Sequence, residues 1–346
     1  MSRQWSLGLL LVTLFLGWSG ASVCYKPYSC VAALNCKLRG EGSNHRLTEG
    51  FECAVGEVCC EKENSSQSAK TPTFANNCGY SNPDGLENST DHLEGHSKPA
   101  EFPWTVAVYV KDQLIGGGSL VAPGVVLTAA HILNNVTAAD VRIISGDWNL
   151  ASEDESFDSE EQSVTLIKKH ENFTYATGVN NLALVFLNEP FQLKDHIRKI
   201  CLPSSQTRSY LKTKCKVVGW GVQNFGDRYF SDIQKVVDLA LVDRDQCQDQ
   251  LRQTTLGEDF KLDTSLICAG GEEGIDACIG DGGSAIFCQL QGSRSRYVQV
   301  GIVNWGMKCG QKDVPAVYTN VSMFYEWIDQ QIKSIPIPQR GQYRTL

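Results

Sequence analysis

Beyond Cys78 the chain alternates short runs of β-branched and aromatic residues with polar, glycine-containing turns. Many short runs at this spacing are typical of the strands of an antiparallel β sandwich or barrel. The pattern therefore predicts an all-β domain whose strands include Trp104–Val110, Ser119–Ala122, Val125–Ala129, Val141–Ser145, Leu182–Leu187, Lys216–Trp220 and Tyr297–Trp305.

Near the end of the chain, apolar residues recur with the spacing of one helix face. They are Phe324, Trp327, Ile328 and Ile332. We expect a C-terminal helix that packs on the all-β domain, and the pattern indicates no chemistry for it.

The first 21 residues have a different pattern. Arg3 precedes an apolar run, Leu7–Trp18, and the small residues of Ser19–Ala21 follow it. A basic start, a short apolar run and small residues are typical of a secretory signal peptide. A membrane-spanning helix needs about 20 apolar residues, and this run is shorter. We expect residues 1–21 to be removed and the remaining chain to be secreted, extracellular and without a membrane span.

Composition narrows the choice of partner. The chain has 346 residues, with 31 Lys and Arg against 39 Asp and Glu, and a formal net charge of −8. An acidic balance disfavours nucleic acid or an anionic membrane surface as the main partner. If the chain is secreted, five Asn-x-Ser/Thr sequons become candidate glycosylation sites, at Asn64, Asn88, Asn135, Asn172 and Asn320.

The 14 cysteines divide the chain into two modules. Six lie close together, at Cys24, Cys30, Cys36, Cys53, Cys59 and Cys60, and eight are spread between Cys78 and Cys309. A module of this size cannot bury a sufficient core, so disulfides are expected to stabilise it. Zinc is the competing explanation, but the CxxC pairs that zinc sites prefer are absent from the six-cysteine segment. Spacing alone leaves fifteen pairings open.

A polar stretch, Glu61–Thr73, has no large apolar residue and follows the six-cysteine module. Such a composition is typical of a linker. We assign residues 22–60 to a small module, 61–98 to a linker, 99–335 to the all-β domain and 336–346 to a tail.

Five short motifs follow one another in the all-β part of the chain: LTAAH at Leu127–His131, NNLALV at Asn180–Val185, VVGWG at Val217–Gly221, DACIGDGGS at Asp276–Ser284 and VNWG at Val303–Gly306. In this order they resemble the chymotrypsin-like serine protease domain over about residues 99–333. The resemblance implies a double antiparallel β-barrel with a C-terminal helix, and the six-cysteine module is similar to the clip domain of arthropod clip-domain proteases.

The resemblance also implies a disulfide pairing, in which all 14 cysteines are bonded. The family's bridge beside the catalytic base would fall at Gly116 and Ile132, so both of its halves are missing here. The implied clip bridges are Cys24–Cys59, Cys30–Cys53 and Cys36–Cys60. The implied bridges of the all-β domain are Cys78–Cys201, Cys215–Cys288, Cys247–Cys268 and Cys278–Cys309.

Two of the three catalytic positions have changed. Acyl transfer in this fold needs a hydroxyl nucleophile, an imidazole base and a carboxylate that orients the base. His131 occupies the base position, but the carboxylate position is Asn181 and the nucleophile position is Gly282. Ser284 is the nearest hydroxyl, and it would have to reach back around a tight turn. We therefore predict a pseudoenzyme in which His131 is a packing residue.

The family's activation mechanism is also missing. In the family, a cut frees an Ile or Val N-terminus that pairs with the Asp beside the nucleophile, here Asp281. From Gly79 to Thr105 there is no Ile or Val, and Lys98 is the only Lys or Arg. Asn304 stands where the family usually has Ser, and since a buried amide needs a partner, we expect it to pair with Asn181.

The binding cleft is better preserved than the chemistry. Asp276 has the position that gives trypsin-like members their preference for basic side chains, and Gly280 has that of an oxyanion-hole amide. Trp305 and Gly306 keep the strand that pairs with substrate, whereas Ala316 replaces the usual Gly and narrows the pocket. Two interpretations stay open: a site for a basic group, or residual architecture.

Taken together, these features look most like the clip-domain serine protease homologues of the phenoloxidase-activating-factor type. The resemblance implies a non-catalytic cofactor in haemolymph that helps a clip protease to activate prophenoloxidase, leading to melanisation. The alternative is an adhesion or recognition protein that binds microbial surfaces. Oligomers are compatible with either function.

Two further sites are hypotheses. The segment between Cys36 and Cys53 is rich in Gly, Ser and Asn, as accessible loops are, so Arg39 and Arg46 are candidate cleavage sites. The acidic stretch Glu153–Glu161 falls where some family members bind calcium, although a solvated acidic loop is the simpler interpretation. We assign no metal site and no cofactor.

Overall fold

The computed structural model describes residues 28–32, 57–61, 78–87, 93–152, 154–203 and 214–335. It divides the chain into two compact units, Met1–Thr71 and Pro72–Leu346. In the first unit, strands β1 (Tyr28–Ala32) and β2 (Glu57–Glu61) pair antiparallel, with Cys30 opposite Cys59. The signal peptide, the clip disulfides, Arg39, Arg46, the sequons Asn64 and Asn88, and the tail 336–346 lie outside the described residues.

The second unit contains two closed six-stranded barrels, and each pairing in them is antiparallel. The first barrel has the spatial order β3-β4-β5-β8-β7-β6. Closure of the sheet leaves no unpaired strand edge within a barrel. Its strands are β3 (Thr105–Val110), β4 (Gln113–Ala122), β5 (Val125–Thr128), β6 (Val141–Ser145), β7 (Glu160–Lys169) and β8 (Ala183–Leu187).

The second barrel has the spatial order β10-β11-β14-β13-β12-β9. The double barrel confirms the fold class expected from the sequence. Its strands are β9 (Lys214–Gly219), β10 (Lys235–Val242), β11 (Leu266–Ala269), β12 (Ala285–Gln289), β13 (Tyr297–Trp305) and β14 (Ala316–Asn320).

Among the described residues, two α-helices lie outside the strands. Helix α1 (Arg244–Arg252) begins after Asp243, whose carboxylate accepts hydrogen bonds from the backbone N–H groups of Asp245 and Gln246. Helix α2 (Tyr325–Ser334) is the predicted C-terminal helix, and it buries Ile328 and Ile332. Short 3₁₀ helices cover His131–Leu133, Ala138–Asp140 and Val321–Phe324.

A shared apolar core joins the two barrels. Phe102 and Trp104 from the first barrel's side pack against Phe287 and Tyr297 of the second, with ring centroids 5.1–6.0 Å apart. Edge-to-face and tilted aromatic pairs of this kind add to the free energy gained by burial. Because this core fixes the barrels against each other, residues at the ends of strands from both barrels meet in one cleft.

Four disulfides stabilise the second unit, and they match the pairs that the resemblance implies. Within the described part of the chain no cysteine is free. Gly116, where the family's missing fifth bridge would begin, lies beside Ile132, whose side chain would be 3.2 Å from a Cβ at Gly116. The bridges are Cys78–Cys201, Cys215–Cys288, Cys247–Cys268 and Cys278–Cys309.

Residues 78–87 and 93–98 of the predicted linker are tied to the barrels. Cys78 is bonded to Cys201, and the indole N–H of Trp148 donates to the carbonyl of Ser97 at 2.7 Å. Residues 78–87 and 93–98 therefore belong to the barrel unit, which begins earlier than the residue 99 assigned from the sequence. Among the described residues there is no helix that is long and apolar enough to cross a membrane.

Candidate functional site

The cleft lies where β5, β8 and the turn before β12 come together. His131 begins the 3₁₀ helix that follows β5, and Asn181 lies two residues before β8. Asn180 has a φ of 55°, a left-handed conformation that Asn tolerates better than most residues. This turn directs Asn181 toward His131, so the sequence brings the two predicted positions together.

Glycines allow the turn Cys278–Ser284 to approach β4 closely. The N–H of Gly117 donates to the carbonyl of Gly282 at 3.0 Å, and a Cβ at Gly117 would lie only 2.1 Å from the Ser284 hydroxyl. Gly283 has a φ of 86°, which few other residues adopt. The backbone of the second barrel can therefore lie directly against the first barrel beside His131.

A chain of amides replaces the family's charged hydrogen-bond network. The Nδ2 of Asn181 lies 2.7 Å from His131 Nδ1 and donates to Asn304 Oδ1 at 2.5 Å. The Oδ1 of Asn181 accepts from the backbone N–H of His131 at 2.9 Å. Asn304 in turn donates to the carbonyl of Gly178 at 2.7 Å. The expected contact between Asn181 and Asn304 is present, and both side chains are buried.

Burial lowers the pKa of the His131 imidazole below its ordinary value. A hydrogen-bond acceptor at Nδ1 would oppose this shift. The Asn181 atom that faces Nδ1, at 2.7 Å, is Nδ2, which donates and so offers no such acceptor. The imidazole is therefore neutral at neutral pH.

Position 282 offers no attacking atom. A Cβ built on Gly282 would lie 3.0 Å from His131 Nε2, so the glycine does stand at the point that the imidazole faces. Ser284 is fully buried, and its hydroxyl lies between Gly117 and Gly219 rather than in the cleft. Neither residue places a hydroxyl where His131 could deprotonate it.

Lys235 supplies a contact that the sequence analysis missed. Its ammonium lies 3.1 Å from Asp281 Oδ2 and donates to the carbonyl of Val222 at 2.8 Å, and both charged side chains are at most 3% exposed. Asp281 also accepts from the N–H groups of Gly221 and Cys278, each at 2.9 Å. The carboxylate that pairs with a new N-terminus in the family is thus paired with a side chain of the intact chain.

Asp276 lies in a cavity of about 290 Å³ that His131, Gly280, Gly282 and Trp305 also line. Its Oδ2 accepts from the N–H of Gly310 at 3.1 Å, whereas its buried Oδ1 has no partner among the described residues. Burial raises the pKa of Asp276 to about 6. A carboxylate that is desolvated and half-satisfied in this way favours a cationic partner.

The other predicted pocket residues surround the same cavity. Ala316 is buried and lines it, and a Cβ on Gly306 would lie 3.8 Å from the Ala316 methyl group. A volume near 290 Å³ is at the small end of ligand sites, which span about 300–1,000 Å³. The cavity suits one side chain better than a large molecule.

Apolar side chains that the sequence did not single out border this cavity. Phe225 and Ile279 line it and are 55% and 56% exposed. Phe230 lies against Gly280, where it would be 2.5 Å from an added Cβ. A run of aromatic residues on a glycine-containing loop, Phe225–Phe230, was the available sequence signal.

The remaining candidate sites are separate from the cleft residues. The sequons Asn135 and Asn172 are exposed, and Asn320 is half-buried, with its Oδ1 accepting from Ser322 at 2.6 Å. In the acidic stretch, Glu155 accepts from the N–H of Asn149 at 2.8 Å, and other acidic side chains pair with Arg142 and Lys194. Glu153 is not described, and the described His, Cys, Asp and Glu side chains form no group suited to a metal ion.

Comparison with known proteins agrees with this geometry. A family model described as Trypsin matches residues 94–328. Phenoloxidase-activating factor 2 of Galleria mellonella is 39% identical over 270 residues, which cover 74% of this chain and 88% of that protein. Inactive CLIP domain-containing serine protease A8 of Anopheles gambiae is 34% identical over 297 residues, covering 81% and 78% respectively.

A further relative from the same mosquito, Inactive CLIP domain-containing serine protease A28, is 32% identical over 295 residues, or 80% of this chain and 76% of that protein. The double barrel, the altered catalytic positions and these similarities lead to one assignment. The chain belongs to the trypsin family, as a clip-domain serine protease homologue.

Proposed function

We propose that this protein is a secreted, catalytically inactive cofactor that binds partner proteins in an immune proteolytic cascade. The observation that carries the proposal is the absence of a side chain at Gly282, opposite His131 Nε2. Without a nucleophile no acyl-enzyme forms, while the cavity that contains Asp276 is intact. The site is therefore suited to binding without cleavage.

The similarity to phenoloxidase-activating factor 2 supports the choice of cascade. We infer that the partners are prophenoloxidase and the clip protease that activates it, in haemolymph. The four disulfides of the barrel unit fit an oxidising, extracellular compartment.

Reconstitution tests the proposal. Purified full-length protein is added to prophenoloxidase and its activating protease, and phenoloxidase activity is followed over time. We expect the protein to increase the activity formed, and a serine-directed fluorophosphonate to leave it unlabelled. Labelling would contradict the assignment as a pseudoenzyme.

The matched control exchanges Asp for Asn inside and outside the cavity. Asp276→Asn should weaken the enhancement, whereas the exposed Asp313→Asn should not, because Asp313 does not line the cavity. Binding to microbial cell walls without enhancement would favour the alternative function, surface recognition.

A further inference from the structure

The amide chain beside His131 determines where the imidazole carries its proton. The carbonyl of Gly178 can only accept, so the Nδ2 of Asn304 faces it and the Oδ1 of Asn304 faces Asn181. The backbone N–H of His131 can only donate, so it fixes the Oδ1 of Asn181 at the other end. Both amide orientations are therefore set by backbone groups.

The Nδ2 group of Asn181 is left facing His131 Nδ1 at 2.7 Å, and it donates there. A nitrogen that accepts a hydrogen bond carries no proton. In a neutral imidazole the single proton then lies on the other nitrogen, Nε2. This is the reverse of a catalytic base, which needs an unprotonated Nε2 facing its nucleophile. His131 presents a hydrogen-bond donor to the cleft.

Two residues with backbone N–H donors line the same cavity. Among the described residues, the N–H groups of Gly280 and Gly282 donate to no acceptor. These are the positions at which the family binds the oxygen of a reacting carbonyl. Gly282 has no side chain, and His131 Nε2 would lie 3.0 Å from an added Cβ, so the imidazole nitrogen is close to the backbone of Gly282 in this cavity. The centre of the former catalytic site thus contains donors and no acceptor side chain.

A single carbonyl oxygen can use the two amides but leaves the Nε2–H group of His131 unpaired. A carboxylate has a second oxygen, which can take the place of the missing nucleophile hydroxyl and accept from Nε2. Asp276 lines the same cavity, and its buried Oδ1 has no partner among the described residues. This carboxylate favours a cationic group, whereas the donors favour an anionic one. A matching ligand therefore has a carboxylate and a cationic side chain on one residue.

We propose that the cleft is a receptor for the free C-terminus of a chain ending in Lys or Arg, with the α-carboxylate at Gly280, Gly282 and His131 and the side chain on Asp276. Such termini are produced when a trypsin-like protease cuts after a basic residue. The inference rests on the proposed role as a non-cleaving partner, and it names the state of the partner that is bound: cleaved rather than intact.

Calorimetric titration of the full-length protein with three peptides tests the proposal. The first is N-acetylated Gly-Ala-Gly-Arg with a free carboxylate, the second is its C-terminal amide, and the third is the same peptide extended by one Gly. We expect the free acid to bind at least about tenfold more tightly than the other two, because only it uses all three donors. Equal or tighter binding of the amide or the extended peptide would overturn the proposal, as would no binding of the acid at millimolar concentration.

Variants separate the two halves of the site. Gly282→Ala places a methyl group at the carboxylate position, and His131→Phe removes the Nε2 donor. Each should bring the ratio of acid to amide affinity close to one while a preference for Arg over Ala at the last position is kept. Asp276→Asn should remove the preference for Arg, and Asp313→Asn should change neither ratio. A retained preference for Arg shows that the variant is folded.

The peptide titration and the cascade assay test the two proposals separately. If the protein enhances prophenoloxidase activation but binds acid and amide equally, the proposed function stands and the C-terminal receptor is wrong. If the acid is preferred and no enhancement occurs, the receptor stands and the cascade assignment is wrong.

Discussion

At the scale of single residues, the exchange of a carboxylate for the amide of Asn181 does more than remove a charge. The amide donates to His131 Nδ1 and so places the ring proton on the nitrogen that faces Gly282. In the proposed pseudoenzyme, two separate features oppose acyl transfer: the missing side chain at Gly282 and a base with its proton on the wrong nitrogen.

This leads to a prediction about restoring reactivity. Gly282→Ser alone should react with a fluorophosphonate at least about 10³-fold more slowly than Gly282→Ser combined with Asn181→Asp, because only a carboxylate accepts from Nδ1–H and leaves Nε2 free to act as a base. Labelling rates of the two variants measure the difference. Fast labelling of the single variant would show that Nε2 is already unprotonated.

The second residue-scale prediction concerns pH. The pKa of Asp276 is raised to about 6 by burial, with smaller contributions from the nearby Asp281 carboxylate. Tyr318 is a further titratable neighbour, and its pKa is raised as well, so it stays neutral. His131 and Lys308 line the same cavity. Below pH 6 Asp276 takes up a proton, and we expect the affinity for a fluorescent amidine to fall by up to about tenfold per pH unit. A pH-independent affinity between 5 and 7 would contradict this.

The same shift affects stability, with Asp276→Asn as the control. The pKa in the folded state lies above the ordinary value of 3.8, so the unfolded chain releases this proton at lower pH than the folded chain. The folded state therefore loses about 3 kcal/mol relative to the variant as the pH rises from about 4 to above 6. Denaturant unfolding of both proteins at pH 4 and pH 7 measures the difference.

Some of the site could be predicted from the sequence, and some could not. His131, Asn181 and Gly282 lie in recognisable motifs, so their identities and grouping followed from resemblance. The position of the proton on His131 did not, because it depends on Gly178 and Asn304, which are distant in sequence and meet only in the folded barrels.

At the scale of elements, strand β10 (Lys235–Val242) carries the residue that holds the turn Cys278–Ser284 in place. Lys235 is the first residue of this strand, and its ammonium lies 3.1 Å from Asp281 Oδ2. The alternation of β10 is weak, because Asp238 and several half-buried positions interrupt its apolar side. Strands β7, β11, β12 and β14 and helix α1 were also not predicted. β7 is half-exposed and rich in charge, and β11 has only four residues.

The element-scale prediction tests the Lys235–Asp281 pair. Lys235→Met leaves the Asp281 carboxylate buried without its cation, which should lower the free energy of unfolding by about 3–5 kcal/mol. Because Asp281 organises the turn, binding of a fluorescent amidine should also be lost. Thermal unfolding and a fluorescence titration provide the two measurements.

The matched control is Lys216→Met on the neighbouring strand β9. Lys216 pairs with Asp238 at 2.7 Å, but both side chains reach solvent. The cost there should be about 0–1 kcal/mol, with unchanged amidine binding. Equal losses in the two variants would mean that the buried pair has no special role in the turn.

At the scale of the whole molecule, the chain consists of two units of unequal size, and the candidate cleavage sites Arg39 and Arg46 fall in the first of them. The binding cleft lies entirely in the second unit. Proteolytic cleavage after Arg39 or Arg46 therefore leaves the covalent structure of every cleft residue unchanged.

The whole-molecule prediction concerns this processing. Arg39 and Arg46 lie between Cys36 and Cys53, so a cut after either should leave fragments linked by the clip disulfides. After exposure to an upstream clip protease, the chain should migrate as one species without reductant and as two with it. N-terminal sequencing identifies the cut. Arg39→Gln and Arg46→Gln are controls for each other, and an intact chain or release of a fragment without reductant would refute the prediction.

The pair of Lys235 and Asp281 has a consequence for the order of events in a cascade. In the enzymes of this family, a cut in the protease's own chain produces the N-terminal ammonium that pairs with this Asp. Here the ammonium is encoded in β10, so the cleft is complete as soon as the chain has folded. For the cleft itself, under the receptor proposal, the event that allows binding is the new terminus that appears when another protein is cut. Under that proposal, the protein binds its partner only after the partner has been cleaved, and it needs no change in its own cleft to do so.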